Sequence, residues 1–475
     1  MTLSWISVLK CAAVFFAACA AAHTIDESDF SSADTIVRDV VVLGGGASGS
    51  YAAVRLKDSG KTVVVVELKN RLGGHVDTYT DPGTGTPIDF GVIAYVDLPG
   101  VKDFFARFNV PIEAMPQAPL DTRYIDFTTG QTVANYATDQ TAIFTALATY
   151  AQLSAAYVNQ TFPGYFNFPE QVPEDLALPF GDFLAKYNLQ DAVPFLRGFL
   201  LALGDMLSVP TLFALQNFNA IHLNAIQQPA GFFVPSSHNN SELYAAIQQY
   251  LLPDLLLGST VSVADRTDAG GVTLVVNTPS GRKLVKAKKL LITAAPTVDN
   301  LKKLDLDAAE TDVFGKWEYS SDYVGVVANA GLPDGLDILN TSPDSSPGSL
   351  NLPKLPFVSE IKYSGVPGLY TTTVVGPPGL NEHRAKILVR DAVRKIGAAG
   401  TLPTKHLDFA AFSSHSPLQL RVSAEKLKAG FIKKLYALQG RRSTFYTGAA
   451  FASDLTSILW VFTETGILPQ ILATV

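Results

Sequence analysis

Thiols are almost missing from this chain of 475 residues: it has two cysteines, Cys11 and Cys19, and both fall inside an apolar N-terminal segment. If that segment is removed, the mature chain has no disulfide and no metal site built on thiolates. Histidine is also sparse. The seven imidazoles are scattered, and none forms a helical HxxxH pair, so no metal is expected. No basic cluster relieves the net charge of −7, made of 36 basic and 43 acidic residues. That balance argues against nucleic acid and against a polybasic contact with a membrane surface. Internal repeats and low-complexity tracts are absent too, and the Pro- and Gly-rich stretches Pro333 to Pro356 and Gly365 to Gly379 read as long surface loops of an ordinary globular chain.

Apolar and aromatic residues are plentiful: 47% of the sequence is hydrophobic, with 28 Phe and 17 Tyr. Because single cores stop growing at about 250–300 residues, two domains or two interleaved lobes are expected. Residues 1–22 read as a signal peptide, since the apolar stretch ends in Ala20-Ala21-Ala22 and cleavage would fall before His23. Lys10 interrupts the stretch and leaves only 11–22, too short to span a bilayer, so a secreted mature chain without a membrane span is expected. Three sequons, at Asn159, Asn239 and Asn340, would then carry N-glycans on surface loops.

The chemistry begins after Asp39. Val40 to Leu43 is a short continuous apolar strand, Ala47 to Ser59 has helical spacing, and Thr62 to Val66 is a second β-branched run. Continuous rather than alternating apolar character implies parallel strands covered on both faces. Between the first strand and the helix lies Gly44-Gly45-Gly46-Ala47-Ser48-Gly49, which satisfies GxGxxG through Gly44, Gly46 and Gly49. Such a turn needs its first glycine for tightness, its second for close approach to a pyrophosphate and its third for helix packing. The helix then aims its free amides at the phosphates. Glu67 ends the second strand, where a carboxylate accepts hydrogen bonds from ribose hydroxyls and repels a 2′-phosphate. A dinucleotide site follows, with NADP disfavoured.

Arg71-Leu72-Gly73-Gly74-His75 comes next, and here the sequence resembles the flavin-containing amine oxidase superfamily. In that group an RxGG segment wraps the flavin side of the pyrophosphate, so the resemblance implies FAD, with Arg71, Gly73, Gly74 and His75 among the contacts. The residue after the glycine pair is commonly Arg there and is His75 here. Pro87 to Gly91 resembles the strand beside the flavin. Thr260 to Val263 resembles the strand that brackets adenine, with Val261 the contact. Phe445-Tyr446-Thr447-Gly448-Ala449-Ala450 resembles the C-terminal flavin motif, with Gly448 at the pyrophosphate and the next helix aimed at flavin N1 and the C2 carbonyl. Within the superfamily, RLGGHVDTY, FARFNVP and FYTGAAF together are most similar to fungal secreted flavoproteins grouped with beta-cyclopiazonate dehydrogenase.

The resemblance implies an α/β fold: a discontinuous Rossmann-type FAD-binding domain on a parallel sheet (36–110, 225–300 and 435–475) with an interleaved α+β substrate domain (111–224 and 301–434). It also implies an FAD-dependent oxidase or dehydrogenase that takes a hydride from an activated carbon of a bulky apolar small molecule, with oxygen or another acceptor. An extracellular amine or polyamine oxidase is the alternative, and a flavin-binding protein without turnover is a second. The lysine that many amine oxidases carry near flavin N5 has no counterpart in Ser321 to Val327, and Lys316 lies just ahead of that segment. Trp460 is a candidate pocket residue or core residue. No catalytic residue emerges from the sequence.

Overall fold

A computed structural model describes residues 25–116, 119–343 and 350–475. The signal-peptide expectation for 1–22 lies outside them. Among the described residues, no helix is long and apolar enough to cross a membrane.

The β-branched runs dictate the first sheet. Val40, Val41 and Val42 in the strand Thr35–Leu43, and all four valines of Val63–Val66, are buried. These two strands run parallel in register, Val40 beside Val63 through Leu43 beside Val66. Residues buried on both faces suit the centre of a helix-covered sheet. The other edge of Thr35–Leu43 pairs in parallel with the long strand Gly281–Ile292. That strand divides its free edge: residues 281–287 continue an antiparallel meander through Gly271–Thr278 and Thr260–Thr267, while 290–292 pair in parallel with Thr444–Tyr446. Leu255–Leu256 closes the far edge. The seven-stranded sheet therefore gathers the ends of three distant segments along one rim.

A second sheet of eight strands is built from Asp121–Asp126, Gln131–Thr132 and the six described strands between Glu318 and Arg421. Helix Glu382–Ala398 covers one of its faces, packing Val389, Val393 and Ile396 against Tyr323, Ile338, Ile361 and Val374. The helices from Gln140 to Ile226 pack instead into the same hydrophobic core as the first sheet.

Two expectations are corrected here. Gly365 to Gly379 is not a surface loop, because Leu369–Gly376 is a strand with Tyr370, Val374 and Val375 buried, as its β-branched run favours. Asn340 is not on a surface loop either. It ends the strand Leu336–Asn340, is 3% exposed, accepts a hydrogen bond from Phe127 N at 3.2 Å and donates one to Val358 O at 2.7 Å. A glycan there would break both bonds. Asn159 is exposed and Asn239 half-buried. Glycosidase treatment followed by mass spectrometry of the chain expressed through a eukaryotic secretory pathway should find glycan at Asn159 and none at Asn340.

Candidate functional site

The glycine turn takes the shape its spacing demands, and its three glycines do different jobs. Gly44 has φ +106°, and a Cβ there would lie 2.6 Å from Thr293 Oγ1. A Cβ on Gly49 would overlap the Gly44 carbonyl oxygen, so both positions serve the fold. Gly46 is otherwise: its backbone is extended, and a Cβ would meet only Gly74 Cα at 3.6 Å, an ordinary contact. The fold leaves room for a Cβ at Gly46, and a larger side chain would extend toward the space in front of it.

That space opens at the N-terminus of helix Ala47–Asp58, whose N-cap Gly46 offers no side chain to the first amides. Ser48 Oγ beside it is buried and has no hydrogen-bond partner among the described residues. Leaving a buried hydroxyl unmatched costs about 1–3 kcal/mol. A helix N-terminus with an unmatched donor and a glycine floor fits a phosphate group.

The cradle forms one end of a cavity of about 610 Å³, a size ordinary for cofactor sites. Of the residues expected to touch the dinucleotide, Gly44, Gly46, Ala47, Ser48, Glu67, Gly73, Gly74, His75, Val261 and Gly448 line it. Gly45, Gly49 and Arg71 stand behind the wall. Gly45 N donates to Glu67 Oε2 at 2.6 Å, and Lys69 N donates to Glu67 Oε1 at 2.7 Å. These two bonds aim the carboxylate and leave lone pairs for a diol, since a carboxylate has about four acceptor sites. Arg71 ion-pairs with Asp77 and donates to Leu72 O, so it holds its own loop closed instead of reaching the cavity.

His75 faces the cavity with its ring stacked on His415, 4.2 Å between centroids and 13° between planes. His415 is buried, while the side chain of His75 is exposed to the cavity that it lines. Burial holds His75 well below the ordinary imidazole value, and His415 and Lys69 push it the same way. His415 Nε2 lies 2.9 Å from Asp77 Oδ2. Arg71, Asp77, His415 and His75 thus form one connected set, in which burial is the largest effect on the Asp77 carboxyl but is outweighed by the His415 hydrogen bond and the Lys69 and Arg71 charges. His415 is a residue that no sequence motif marked. Lys69 is another: it lines the cavity, and its Nζ donates to Gly74 O at 2.8 Å.

At the far end, Thr447 N donates to Ile292 O, and Gly448, with φ +116°, turns the chain past Thr293 into the cavity wall. Helix Thr456–Phe462 starts there, and Thr456, Leu459, Leu418 and Leu420 line the same space. Trp460 does not. Its Nε1 donates to Ala47 O at 3.1 Å, and its ring packs against Tyr51, Tyr95 and Phe104, which makes it core. Pro87–Asp89 pairs with Thr78–Thr80 outside the main sheet, and Val92, not residues 87–91, reaches the cavity. Lys316 is paired with Asp312 at 2.6 Å, and the strand Glu318–Ala328 carries no lysine.

A split parallel sheet with this cradle at its rim defines a Rossmann-type dinucleotide-binding fold. The comparisons with known proteins agree. A NAD(P)-binding Rossmann-like domain family matches residues 42–108. The FAD-dependent oxidoreductase oblC of Cochliobolus heterostrophus is 38% identical, covering 97% of this chain and 98% of its own. Beta-cyclopiazonate dehydrogenase of Aspergillus oryzae is 36% identical, covering 91% and 92%. The chain belongs to this family of fungal FAD-dependent oxidoreductases. A fatty acid isomerase from P. acnes shares the fold at a TM-score of 0.72 and 18% identity, over 90% of this chain and 97% of that one. Putrescine oxidase shares it at 0.63 and 14%, over 92% and 100%.

Proposed function

We propose that this is a secreted enzyme that oxidises a bulky apolar secondary metabolite at an activated carbon, using FAD held by Gly44, Gly46, Ser48, Glu67, Gly74, Val261 and Gly448. The observation that carries the reading is the continuity of one cavity from the glycine cradle to Gly448 and on to Leu418, Leu420 and Asp454. Bound FAD supplies the hydride acceptor. The chain's own part is to bind, orient and keep water out. The helix start at Ala47 offers amides and the Ser48 hydroxyl to phosphate, and Glu67 takes the ribose. The start of helix Thr456–Phe462 favours negative charge at the cavity's other end. Leu418, Leu420 and Leu459 give that end an apolar wall suited to a bulky substrate. The substrate class also draws on the name of the Aspergillus relative, a dehydrogenase of beta-cyclopiazonate.

An amine oxidase reading gains nothing from the strand Glu318–Ala328, which lacks lysine. Incubating the purified protein with a panel of fungal metabolites, while following flavin bleaching without oxygen and peroxide with it, should find bleaching by a bulky apolar compound. Bleaching only by simple amines, or by nothing in the panel, would count against the proposal.

Glu67→Gln should keep the fold but weaken FAD binding by about 10- to 100-fold, the equivalent of about 1.5–3 kcal/mol for hydrogen bonds to a charged acceptor. Dilution of the holoprotein, followed by the fluorescence of released flavin, reads this directly.

A further inference from the structure

Three consecutive residues of one strand, Leu418, Gln419 and Leu420, line the cavity, which a regular strand cannot achieve because its side chains alternate between faces. The register explains it. Ser320 stands opposite Leu418 and Glu318 opposite Arg421, so Gln419 and Leu420 together face Tyr319, a β-bulge. Gln419 carries the irregularity: its φ is 55°, in the left-handed region that favours glycine. Strained backbone of this kind clusters where a side chain has to be aimed.

Here it aims an amide at a carboxylate. Gln419 is 6% exposed, and its Nε2 donates to Asp454 Oδ2 at 2.6 Å. Asp454 lines the cavity too, at the end walled by Leu418, Leu420 and Leu459, between the turn at Gly448 and helix Thr456–Phe462. No other side chain among the described residues donates to it, and none of their cations ion-pairs with it. The other charges are occupied elsewhere. Glu67 holds two backbone amides, Lys69 holds Gly74 O, and Arg421 donates to Ser320 Oγ and Gln419 O. Lys303 lines the cavity from the segment after helix Val298–Leu301. Burial pushes the Asp454 carboxyl up to about 6, as expected of a charge short of both water and counter-ion. Such a group gains most from a ligand that brings a cation, because charge-assisted hydrogen bonds are the stronger kind.

Resting on the FAD oxidoreductase reading, we propose that Asp454 selects the substrate by holding a protonated nitrogen of an otherwise apolar molecule, and that Gln419 positions the carboxylate for it. The leucines take the hydrocarbon, and the carboxylate decides which way round it sits. The role is recognition, and no bond changes at Asp454.

The test is binding to the holoenzyme near neutral pH, read by equilibrium dialysis, with 1-adamantylamine as the probe. It is bulky, and its nitrogen sits on a carbon without hydrogen, so it cannot be oxidised there. Wild type should bind it about 10- to 100-fold more tightly than 1-methyladamantane, the usual worth of a hydrogen bond to a charged group, with 1-adamantanol between the two. Asp454→Asn should lose most of that preference and keep its affinity for the hydrocarbon. Gln419→Gly should melt within a few degrees of wild type, since glycine accepts the left-handed backbone, yet bind the amine more weakly. Binding of none of the three by wild type, no preference for the amine, or an unchanged preference in Asp454→Asn would overturn the anchor. An alcohol bound as tightly as the amine would overturn the choice of nitrogen, and an unchanged preference in Gln419→Gly would overturn the positioning role. If the wild type carries no flavin, the FAD reading fails instead, and the dialysis still decides the anchor.

Discussion

Gly46→Val should give a soluble, folded protein that carries no flavin. The expectation rests on the contrast among the glycines of one turn. A side chain at Gly49 collides with the Gly44 carbonyl, and one at Gly44 demands unfavourable backbone and meets Thr293 Oγ1 at 2.6 Å. Those variants should fail to accumulate as folded protein. At Gly46 the nearest obstacle to a Cβ is Gly74 Cα at 3.6 Å, so the valine methyls extend into the cradle beside Ser48. They take the space through which backbone approaches a pyrophosphate. The circular dichroism spectrum should match wild type, while the visible flavin bands disappear. A Gly46→Val protein that retains stoichiometric flavin would place the dinucleotide elsewhere.

Arg266→Ala should be the most destabilising single truncation among the polar residues, by about 3–5 kcal/mol, the usual cost of leaving one partner of a buried ion pair uncompensated. Arg266 and Glu310 are 0% and 5% exposed at the side chain and meet in a two-pronged contact, with both bonds at 2.8 Å. Arg266 also donates to Asp305 O at 3.0 Å and Thr444 Oγ1 at 3.3 Å, and the Tyr446 hydroxyl donates to Glu310. The pair therefore pins the strand Thr444–Tyr446, which delivers Gly448 to the cavity, onto the meander strands. Burial raises the Glu310 carboxyl, but the Arg266 hydrogen bonds and charge more than offset it and leave it below its ordinary value. By linkage the wild type loses this stabilisation as pH falls below about 4, and the variant, lacking it, should show a flatter acid limb. Denaturant unfolding monitored by tryptophan fluorescence measures the loss. A change under about 1 kcal/mol would show that the contact is replaced by solvent.

How legible the site was depended on whether its parts are local. The cradle and Glu67 lie within one strand-helix-strand unit, so their spacing was readable, the RxGG turn entered only through the family resemblance, and the valine runs Val40–Val42 and Val63–Val66 announced a buried parallel sheet. Gly448 was expected from the resemblance of residues 445–450 to the C-terminal flavin motif, and it lines the same cavity. The other end was not local. His415 meets Asp77 across 338 positions, and Leu418 and Leu420 line the cavity on a strand paired with 318–328. No motif encodes such a meeting. The sequon at Asn340 failed for the converse reason, since three residues say nothing of the strand that buries them. Arg71 stands in the expected loop, and no spacing rule announced that Asp77, six residues on, pairs with its guanidinium.

The most direct test of the central claim is the visible absorption spectrum of the purified chain, followed by heat release and identification of what it carries. The expected result is the two flavin bands and about one FAD per chain. A colourless protein that binds NAD instead, or a flavin bound by the wild type and Gly46→Val alike, would contradict it.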